Sequence, residues 1–430
     1  MINKYVIAPI VAFGGEKSIC DAVCFSSAER VYDSDAAEAG LISGAAVVMA
    51  EGEACAVCVM TKNDEGRSQS EPETENVIRG AHEGFTENGG SNVMLLRRRI
   101  KSGRLKVENI LCGALSKTEV SLVYLDGIAR CEVLDRLRER LNDINISGVL
   151  DSGYIEMYIQ NGRYPIYPTV GNSERPDKVA AKILEGRVAI VVDGSPVVLT
   201  VPYLFAEGFQ VSEDYSKSTY FATFERMLRF FGTVISLFLP AFFLIFASEP
   251  QLMPGAMLDY IENARKDIKM GLLAEMIVVF LLFELVREVG LRMPKAVGSA
   301  VGIVGSLILG DSAVEAGFIS SPVLIVVALS AVCNFLAPPY MNSNVIFRTI
   351  MILSSGLFGI FGFFASSTIG LFLFCKKSSF GAPYLYPISP FSLSGQLDFI
   401  LMMPIWKQRV APTVLSRGTV VRAKEKGYEK

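Results

Sequence analysis

Apolar and polar residues are distributed unevenly along the chain, and the change comes near Tyr220. Before that position charged residues are frequent and apolar runs are short, as in a soluble α/β region. After it come five long apolar segments, which predict a helical membrane region. They are Leu228–Ala247, Ile268–Val289, Ala296–Gly317, Val323–Leu336 and Val345–Cys375.

The soluble half contains an internal repeat. Residues 41–59 superimpose at a constant offset of 142 on residues 183–201, and each copy predicts a helix ended by glycine, a strand, an acid-glycine turn and a second strand. Chance similarity is the alternative, because hairpins share composition. Around the second copy the pattern predicts a strand and three helices, at Thr118–Leu125, Glu132–Leu141, Asp151–Ile159 and Pro176–Glu185.

The predicted fold is an α/β cytosolic region of two related mixed α/β subdomains, followed by an all-helical polytopic membrane domain. We expect a first subdomain at residues 1–70, a charged connector at 71–104 and a second subdomain at 105–220. A transmembrane domain at 221–378 and a basic cytoplasmic tail at 379–430 complete the chain. The N-terminal apolar run is short and lacks a convincing cleavage site, which predicts a cytoplasmic N-terminus.

The third apolar segment carries small residues along one side of a helix, over an arc of about 140°. Small faces let another helix approach closely in a bilayer. Several copies of such a face around one axis could also line an ion path, and the two interpretations are compatible. The face consists of Gly298, Ser299, Gly302, Gly305, Ser306 and Gly310, with Leu309 as a bulky apolar collar.

The second segment carries two carboxylates, Glu275 and Glu284. A carboxylate at membrane depth costs several kcal/mol unless it is paired or faces water, so both are candidate functional residues. Their spacing of nine residues puts them on opposite sides of a straight helix. The nearby Arg287 favours an ion pair for Glu284, whereas cation coordination and a salt bridge are both open for Glu275.

The fifth segment is too long to cross a bilayer once as a straight helix. It requires tilt, a kink between Ser354 and Gly362, or projection beyond the bilayer. Basic groups flank the first, second and fifth segments, and all of them would prefer the cytoplasm. That preference requires an even number of crossings, so the glycine-rich third segment is predicted to be re-entrant. The groups are Arg226 and Arg229, then Arg287, Arg292 and Lys295, then Lys376 and Lys377.

The connector begins with an acidic run and ends with a basic one. A solvated linker followed by a charged helix face is the usual explanation of such a pattern. The alternative is a docking surface, in which the acidic and basic ends of neighbouring subunits meet. The residues concerned are Glu71, Glu73, Glu75, Arg97, Arg98 and Arg99.

Composition narrows the function classes. The single histidine and the eight cysteines do not follow a zinc-ligand pattern, and Cys55 and Cys58 are expected to be reduced and partly buried. The sequence shows no phosphate-binding glycine loop and no Ser/His/Asp set, so it predicts neither an enzyme nor a cofactor. Few aromatic residues accompany the basic ones, which argues against nucleic acid. Basic residues outnumber acidic ones after Cys375, and such a tail would suit an anionic lipid surface.

Several long motifs resemble the A subunits of the spore germinant receptors, the GerA family. The resemblance runs from about Glu71 to Lys407. Its motifs are EPETE at Glu71–Glu75 with VIRG at Val77–Gly80, GFTEN at Gly84–Asn88, RRRIK at Arg97–Lys101, and the long stretches Ser173–Leu199, Arg287–Ser320 and Pro383–Pro390.

The resemblance implies a nutrient receptor subunit in the inner membrane of a bacterial spore, with its N-terminal domain facing the spore core. In that family the A subunit resembles an oligomeric, ligand-gated channel for monovalent cations and works with a transporter-like B subunit and a lipoprotein C subunit. The family's glycine-rich pore lining corresponds here to Gly298, Gly302, Gly305, Leu309 and Gly310. Family members usually have a longer first subdomain, so the resemblance implies that residues 1–70 form a truncated one. The segment Met341–Phe347 also departs from the family pattern.

Three hypotheses follow. The leading one is a channel-forming receptor subunit. The second is a non-conducting scaffold that relays signals, with the glycine face only packing. The third, a secondary transporter, would be supported by inverted repeats in the membrane half, and the sequence shows a repeat only in the soluble half.

Overall fold

Two larger antiparallel sheets, a two-stranded one and a helical bundle make up the described part of the structure. The computed structural model describes residues 28–42, 45–49, 54–60, 72, 75, 77, 79–162, 165–249, 251, 253–292, 312–404 and 414–417. The first sheet is small, with strand order β1-β3-β2 and helix α1 against it. Its elements are β1 (Ala28–Val31), α1 (Ser34–Ile42), β2 (Ala45–Val48) and β3 (Ala56–Met60).

The two cysteines beside this sheet differ from each other in state. Cys58 is a free, buried thiol in β3, and burial raises its pKa above the ordinary value. Cys55, just before the strand, is half of a disulfide bond. The expectation that both are reduced was therefore wrong for Cys55 and correct for Cys58.

The second sheet has five antiparallel strands in the order β4-β5-β7-β8-β6. Helices cover both of its faces, and we call this unit the α/β domain. Its elements are α2 (Gly89–Arg99), β4 (Leu105–Cys112), β5 (Thr118–Leu125), α3 (Cys131–Asn142), α4 (Ser152–Ile159), β6 (Gly171–Ser173), α5 (Pro176–Leu184), β7 (Val188–Val192) and β8 (Val198–Val201). The strand and the three helices predicted for this region are confirmed within one or two residues at each end.

Apolar side chains on alternate sides of the central strands form the two cores of the α/β domain. Side chains of β5 and β7 point in turn to opposite faces, as a pleated strand requires. On one face Leu122 and Ile190 pack with Leu137 of α3; on the other, Val123 packs with Ile183 of α5. Helix α2 also belongs to the second core, so the end of the predicted connector is an integral part of the α/β domain.

The strand registers confirm the internal repeat. In the first copy Ala46 pairs with Val59, and 142 residues later Val188 pairs with Val201. The edge strands follow the same rule, because β1 pairs with β3 in the register in which β6 pairs with β8. The bounds of α1 and α5 also differ by 142 residues at both ends. One β-α-β-β unit therefore occurs twice in this chain.

The helical half begins after two short 3₁₀ turns, Phe205–Phe209 and Ser212–Ser216. Two described helical segments are long and apolar enough to cross a membrane, Thr219–Ser248 and Pro338–Lys376, with mean hydropathies of 2.3 and 2.0. The helices are α6 (Thr219–Ser248), α7 (Gly255–Ala264), α8 (Leu272–Arg292), α9 (Ala313–Glu315), α10 (Ser321–Asn334) and α11 (Met341–Lys376). We call α6, α8, α10 and α11 the bundle.

Helix α11 is a hairpin of two antiparallel arms. Gly359 has φ 59° and ψ −140°, which breaks the helix in the part of the fifth segment where a kink was expected. Phe347 of the first arm touches Gly370 of the second, and Ser354 Oγ lies 3.0 Å from Ser366 Oγ. Each arm has about 17 residues and spans about 26 Å, close to the thickness of a hydrocarbon core.

Contacts along the bundle give the direction of its helices. We call the end that touches the α/β domain proximal and the other end distal. Helix α6 starts proximally, because its Arg226 pairs with Asp214 of the second 3₁₀ turn. Helices α8 and α10 both run towards the domain. Glu275, near the start of α8, contacts Ser320 just before α10. Further along both helices, Glu284 of α8 and Ser330 of α10 bind the same residue, Arg348.

The arms of α11 run away from the domain and return to it. Lys377 therefore lies at the proximal end, beside the carbonyl of Tyr167. The described residues of all three basic groups thus lie on the proximal side or are directed towards it. The predicted re-entry of the third segment concerns residues 293–311, which lie outside the described residues.

The chain after α11 returns to the α/β domain. Phe380 is buried in the first core of that domain, and Ser379 Oγ accepts a hydrogen bond from Tyr203 N while donating one to the carbonyl of Thr169. Ser416 forms a β-bridge with Ala129. The elements here are β9 (Ser378–Ser379), β10 (Ala382–Pro383) and α12 (Leu393–Gln396).

Candidate functional site: buried charges of the bundle and its contact with the α/β domain

The residues predicted to line a pore lie outside the described residues, so the structure does not position them. They are Gly298, Ser299, Gly302, Gly305, Ser306, Leu309 and Gly310. The two carboxylates predicted to lie at membrane depth, in contrast, are described together with their partners.

Glu275 is completely buried near the distal end of the bundle. Its Oε1 accepts hydrogen bonds from Ser320 N at 2.7 Å and Ser320 Oγ at 2.5 Å, and its Oε2 accepts one from Arg265 Nε at 3.1 Å. Ser320 is the N-cap of α10, where backbone N–H groups are unpaired and the helix dipole favours an anion. Of the two roles left open by the sequence, the salt bridge is the one observed.

Glu284 forms an ion pair, as the sequence predicted. Arg287 Nη2 lies 2.8 Å from Glu284 Oε2, and Arg348 Nη2 donates to Glu284 Oε1 at 2.9 Å. Arg348 comes from the first arm of α11 and is 1% exposed. The pair therefore connects α8 to α11 inside the bundle.

Arg348 also contacts the two remaining helices of the bundle. Its Nη1 donates to Ser330 Oγ of α10 at 2.7 Å and approaches Ser236 Oγ of α6 at 3.4 Å. The guanidinium carbon lies 4.6 Å from the ring centre of Phe280, a cation–π contact. One arginine of α11 thus binds groups on all three of the other bundle helices.

The sequence reasoning missed Arg348. A signal was present, because Arg348 is the only charged residue between Val345 and Cys375. An isolated basic residue in a long apolar run marks either a functional group or a buried partner for a carboxylate. Its pairing with Glu284 could not be found from spacing, since the two residues lie on different helices.

A second group of charges fixes α6 to the α/β side. Arg226 is fully buried, pairs with Asp214 at 2.8 Å and with Asp398 at 3.1 Å, and also donates to the carbonyl of Phe399. Arg229 pairs with the same Asp214 at 2.9 Å. The two arginines that were expected to mark the cytoplasmic side also hold α6, the 3₁₀ turn and the tail together.

Aromatic side chains complete the contact between the α/β domain and the bundle. The Tyr167 hydroxyl donates to Asn344 Oδ1 at 2.9 Å, and the Tyr167 ring lies 4.4 Å from that of Phe374. Tyr167 therefore contacts both arms of the α11 hairpin. We call this group the aromatic junction; its buried members are Tyr167, Tyr203, Ala206, Phe209, Ala337, Tyr340, Tyr384 and Phe399.

Three of the four described charged residues of the predicted connector surface have partners within this chain. Glu75 pairs with Lys178 of α5 and accepts a hydrogen bond from Ser173 Oγ. Arg98 and Arg99, in the last turn of α2, both pair with Glu83. Arg97 is exposed beside them, whereas Glu71 and Glu73 lie outside the described residues.

An α/β domain fixed to an apolar bundle that contains buried ion pairs defines a membrane-associated protein. The family described as Bacillus/Clostridium GerA spore germination protein matches residues 1–414, and this chain belongs to that family. The resemblance noted in the sequence is confirmed.

Named relatives agree with this assignment. Spore germination protein KA of Bacillus subtilis (strain 168) is 37% identical over 398 residues, covering 92% of this chain and 73% of the relative. The uncharacterized membrane protein YfkQ of the same organism is 37% identical over 407 residues, covering 94% and 79%. Stage V sporulation protein AF, also from that organism, is 34% identical over 368 residues, covering 85% and 74%.

A solved structure is also similar in sequence. It is the N-terminal domain of the A subunit of the Bacillus megaterium spore germinant receptor GerK3, which is 35% identical. The match covers 41% of this chain and 63% of that chain, with a TM-score of 0.32.

Proposed function

We propose that this protein is the A subunit of a nutrient germinant receptor in the inner membrane of a spore, where several copies form a ligand-gated channel for monovalent cations. Family membership supports the receptor part of the proposal. The receptor would also contain a transporter-like B subunit and a lipoprotein C subunit. The tail and the N-terminal domain would face the cytoplasm, and basic tail residues would contact anionic lipid. The exposed Arg97 would meet the acidic connector end of the next subunit.

The observation that carries the channel proposal is the parallel direction of α8 and α10. Helix α8 ends towards the domain, whereas α10 begins at the distal end of the bundle. We propose that the small-faced segment crosses the membrane there and lines the pore, with Leu309 narrowing it. Such a crossing would replace the re-entrant arrangement expected from the sequence. Because α11 forms a hairpin, the number of crossings would still be even.

Gating would use the described contacts. A signal received by the α/β domain would reach the first arm of α11 through Tyr167 and Asn344. Arg348, on the same arm, would pass it to α6, α8 and α10. A buried charge cluster that can exchange partners is the kind of element that supports two packing states a few kcal/mol apart.

Cation flux from liposomes that contain the purified receptor complex tests this proposal. Leu309→Ala widens the proposed constriction, and we expect it to raise the basal leak. Leu307→Ala is the matched control, because Leu307 lies on the bulky apolar side of the same segment. Equal leak from both variants would contradict the assignment of Leu309 to the gate.

The alternative is a non-conducting scaffold that relays signals. The group of charges around the fully buried Arg226 favours it, because these ion pairs can transmit domain movement whether or not ions pass. Single cysteines at residues 298–310 distinguish the two functions. Reaction with a water-soluble thiol reagent every three to four residues indicates a pore, and protection throughout indicates a packed face.

A further inference from the structure

A groove of about 190 Å³ lies where the α11 hairpin meets the α/β domain, and we call it the hairpin groove. Ile166 and Tyr167 line it from the domain, Phe347 lines it from the first arm of α11, and Gly370 and Leu373 line it from the second arm. A molecule in this groove would therefore touch the domain and both arms at once.

The walls of the hairpin groove are apolar and partly open to the surroundings. Of the lining residues, Ile166 is 40% exposed and Leu373 is 54% exposed. Gly370 lets the arms approach closely, because a Cβ at this position would collide with the ring of Phe347. Exposed apolar walls beside a helix of membrane length suit hydrocarbon, and they offer a water-soluble ligand few hydrogen-bond partners.

One charged side chain, that of Lys377, lines the groove at the end of α11. Its Nζ donates to the carbonyl of Tyr167 and lies 5.1 Å from the ring centre of Tyr384. An ammonium has three N–H donors, and within the described part of the chain no carboxylate forms an ion pair with this one. Burial lowers the pKa of Lys377 to about 8, as expected where no counter-charge offsets the loss of water.

The position of Lys377 corresponds to the boundary of a bilayer. It directly follows the second arm of α11, whose length matches a hydrocarbon core, so phospholipid headgroups would lie at its level. The exposed Lys376 adds a second positive charge beside it. Basic residues at this level attract anionic headgroups, whereas a zwitterionic headgroup would bring a further cation next to the two lysines.

We propose that the hairpin groove binds one anionic phospholipid, with its phosphate at Lys377 and part of an acyl chain along Phe347, Gly370 and Leu373. The bound lipid holds the α/β domain against both arms of the hairpin. The content of anionic lipid in the membrane therefore influences the stability of this contact. The proposal rests on the membrane location in the proposed function, and it does not depend on conduction.

Native mass spectrometry of the full-length protein in detergent measures the binding. The probes are phosphatidylglycerol, phosphatidylcholine with the same acyl chains, and glycerol 3-phosphate, which has a phosphate but no acyl chain. We expect one tightly bound phosphatidylglycerol, about fivefold or more weaker binding of phosphatidylcholine, and no binding of glycerol 3-phosphate. Phosphatidylglycerol should also raise the thermal unfolding midpoint in a saturable way.

Variants connect this binding to the groove. Lys377→Gln removes the charge, and Leu373→Trp fills the groove from an exposed position; each should weaken phosphatidylglycerol binding about tenfold or more. Lys376→Gln and Leu371→Trp are the matched controls, because both residues are exposed near the same end of α11 and lie outside the groove. Lys377→Arg keeps the charge and should retain binding. If Lys377→Gln does not fold, Leu373→Trp decides the question.

Three results would overturn the lipid site. The first is equal binding of phosphatidylglycerol and phosphatidylcholine, and the second is glycerol 3-phosphate binding as tightly as the lipid. The third is a Leu373→Trp variant that binds lipid like Leu371→Trp. If Leu373→Trp instead changes only the number of associated subunits, a neighbouring protein chain fills the groove and no lipid is bound there.

The leak assay distinguishes failure of this site from failure of the proposed function. Lipid binding that is lost in Lys377→Gln, together with equal leak from Leu309→Ala and Leu307→Ala, would leave the lipid site and remove the proposed gate. The opposite pair of results would leave the gate and remove the lipid site. A protein that does not fractionate with membranes would contradict both.

Discussion

The hydroxyl of Tyr167 and the amide oxygen of Asn344 lie 2.9 Å apart, both in buried residues, and join the α/β domain to the first arm of the α11 hairpin. Asn344 is held in turn by its own amide, which donates to Asn334 Oδ1 at 3.0 Å. A continuous row of hydrogen bonds thus connects the α/β domain, α10 and α11.

Tyr167→Phe removes one hydrogen bond from this row and leaves the ring contacts in place. We expect it to lower the free energy of unfolding by about 1–3 kcal/mol, because Asn344 keeps a buried acceptor without a donor. Thermal unfolding in detergent measures this loss. The exposed Tyr158→Phe is the control, and equal losses in both variants would contradict the assigned role of Tyr167.

Arg348→Met should destabilise the bundle strongly. Without Arg348, Glu284 loses one of its two partners inside the bundle, and breaking a buried ion pair costs about 3–5 kcal/mol. Chemical unfolding of the membrane-inserted protein is the measurement. The double variant Arg348→Met with Glu284→Met removes both charges, and we expect it to recover at least half of the loss. A double variant less stable than Arg348→Met would rule out the pair as the cause.

Gly359→Ala tests the hairpin in α11. The backbone at Gly359 has a positive φ that side chains rarely adopt, so the substitution should cost about 1–3 kcal/mol. Gly290→Ala is the matched control in α8, because a Cβ there meets nothing within 4 Å. In an ordinary helical position alanine is favoured by up to about 1 kcal/mol, so the control should be neutral or stabilising. A stabilising Gly359→Ala would mean that α11 is continuous.

Glu75 should make the stability depend on acid pH. Burial raises its pKa, but the ion pair with Lys178 and the hydrogen bonds from Lys178 and Ser173 outweigh burial and hold the pKa below its usual 4.5. The folded state then binds fewer protons than the unfolded state near this pH, so Glu75 stabilises fully above pH 4.5. That stability is lost as the pH falls through the folded-state pKa.

Glu75→Gln checks this dependence. We expect the variant to be less stable than the wild type at pH 7 by about 1–3 kcal/mol, and the difference to shrink below pH 4.5. Unfolding by urea at each pH measures it. Glu132→Gln, at an exposed ion pair on α3, should leave both values unchanged. A pH-independent difference between Glu75→Gln and the wild type would show that its charge is not responsible.

Local patterns made much of the α/β domain predictable. The helix face of Val133, Leu134, Leu137 and Leu141 was read from its spacing and is buried as a unit. The repeat was visible because both copies keep the same order of helix, turn and strands. Strand order within the sheet was not accessible, since it depends on contacts between residues far apart in sequence.

The helical elements of the bundle could be predicted from the sequence, whereas the contacts between its helices could not. The length of the fifth segment required tilt, a kink or projection beyond the bilayer, and the full reversal at Gly359 was not among these alternatives. The ion pair of Glu284 with Arg287 followed from their spacing of three residues on one helix. Its second pair, with Arg348, joins two helices, and spacing along one helix carries no information about such a contact.

The offset of 142 residues gives this protein an internal reference. Each position in α5 or in the paired strands has an equivalent position in the first copy, where a different side chain occupies the same backbone. Thr200 in β8 and Cys58 in β3 are one such pair. Exchanging such residues between copies would separate what the shared scaffold tolerates from what only one copy has been selected to do.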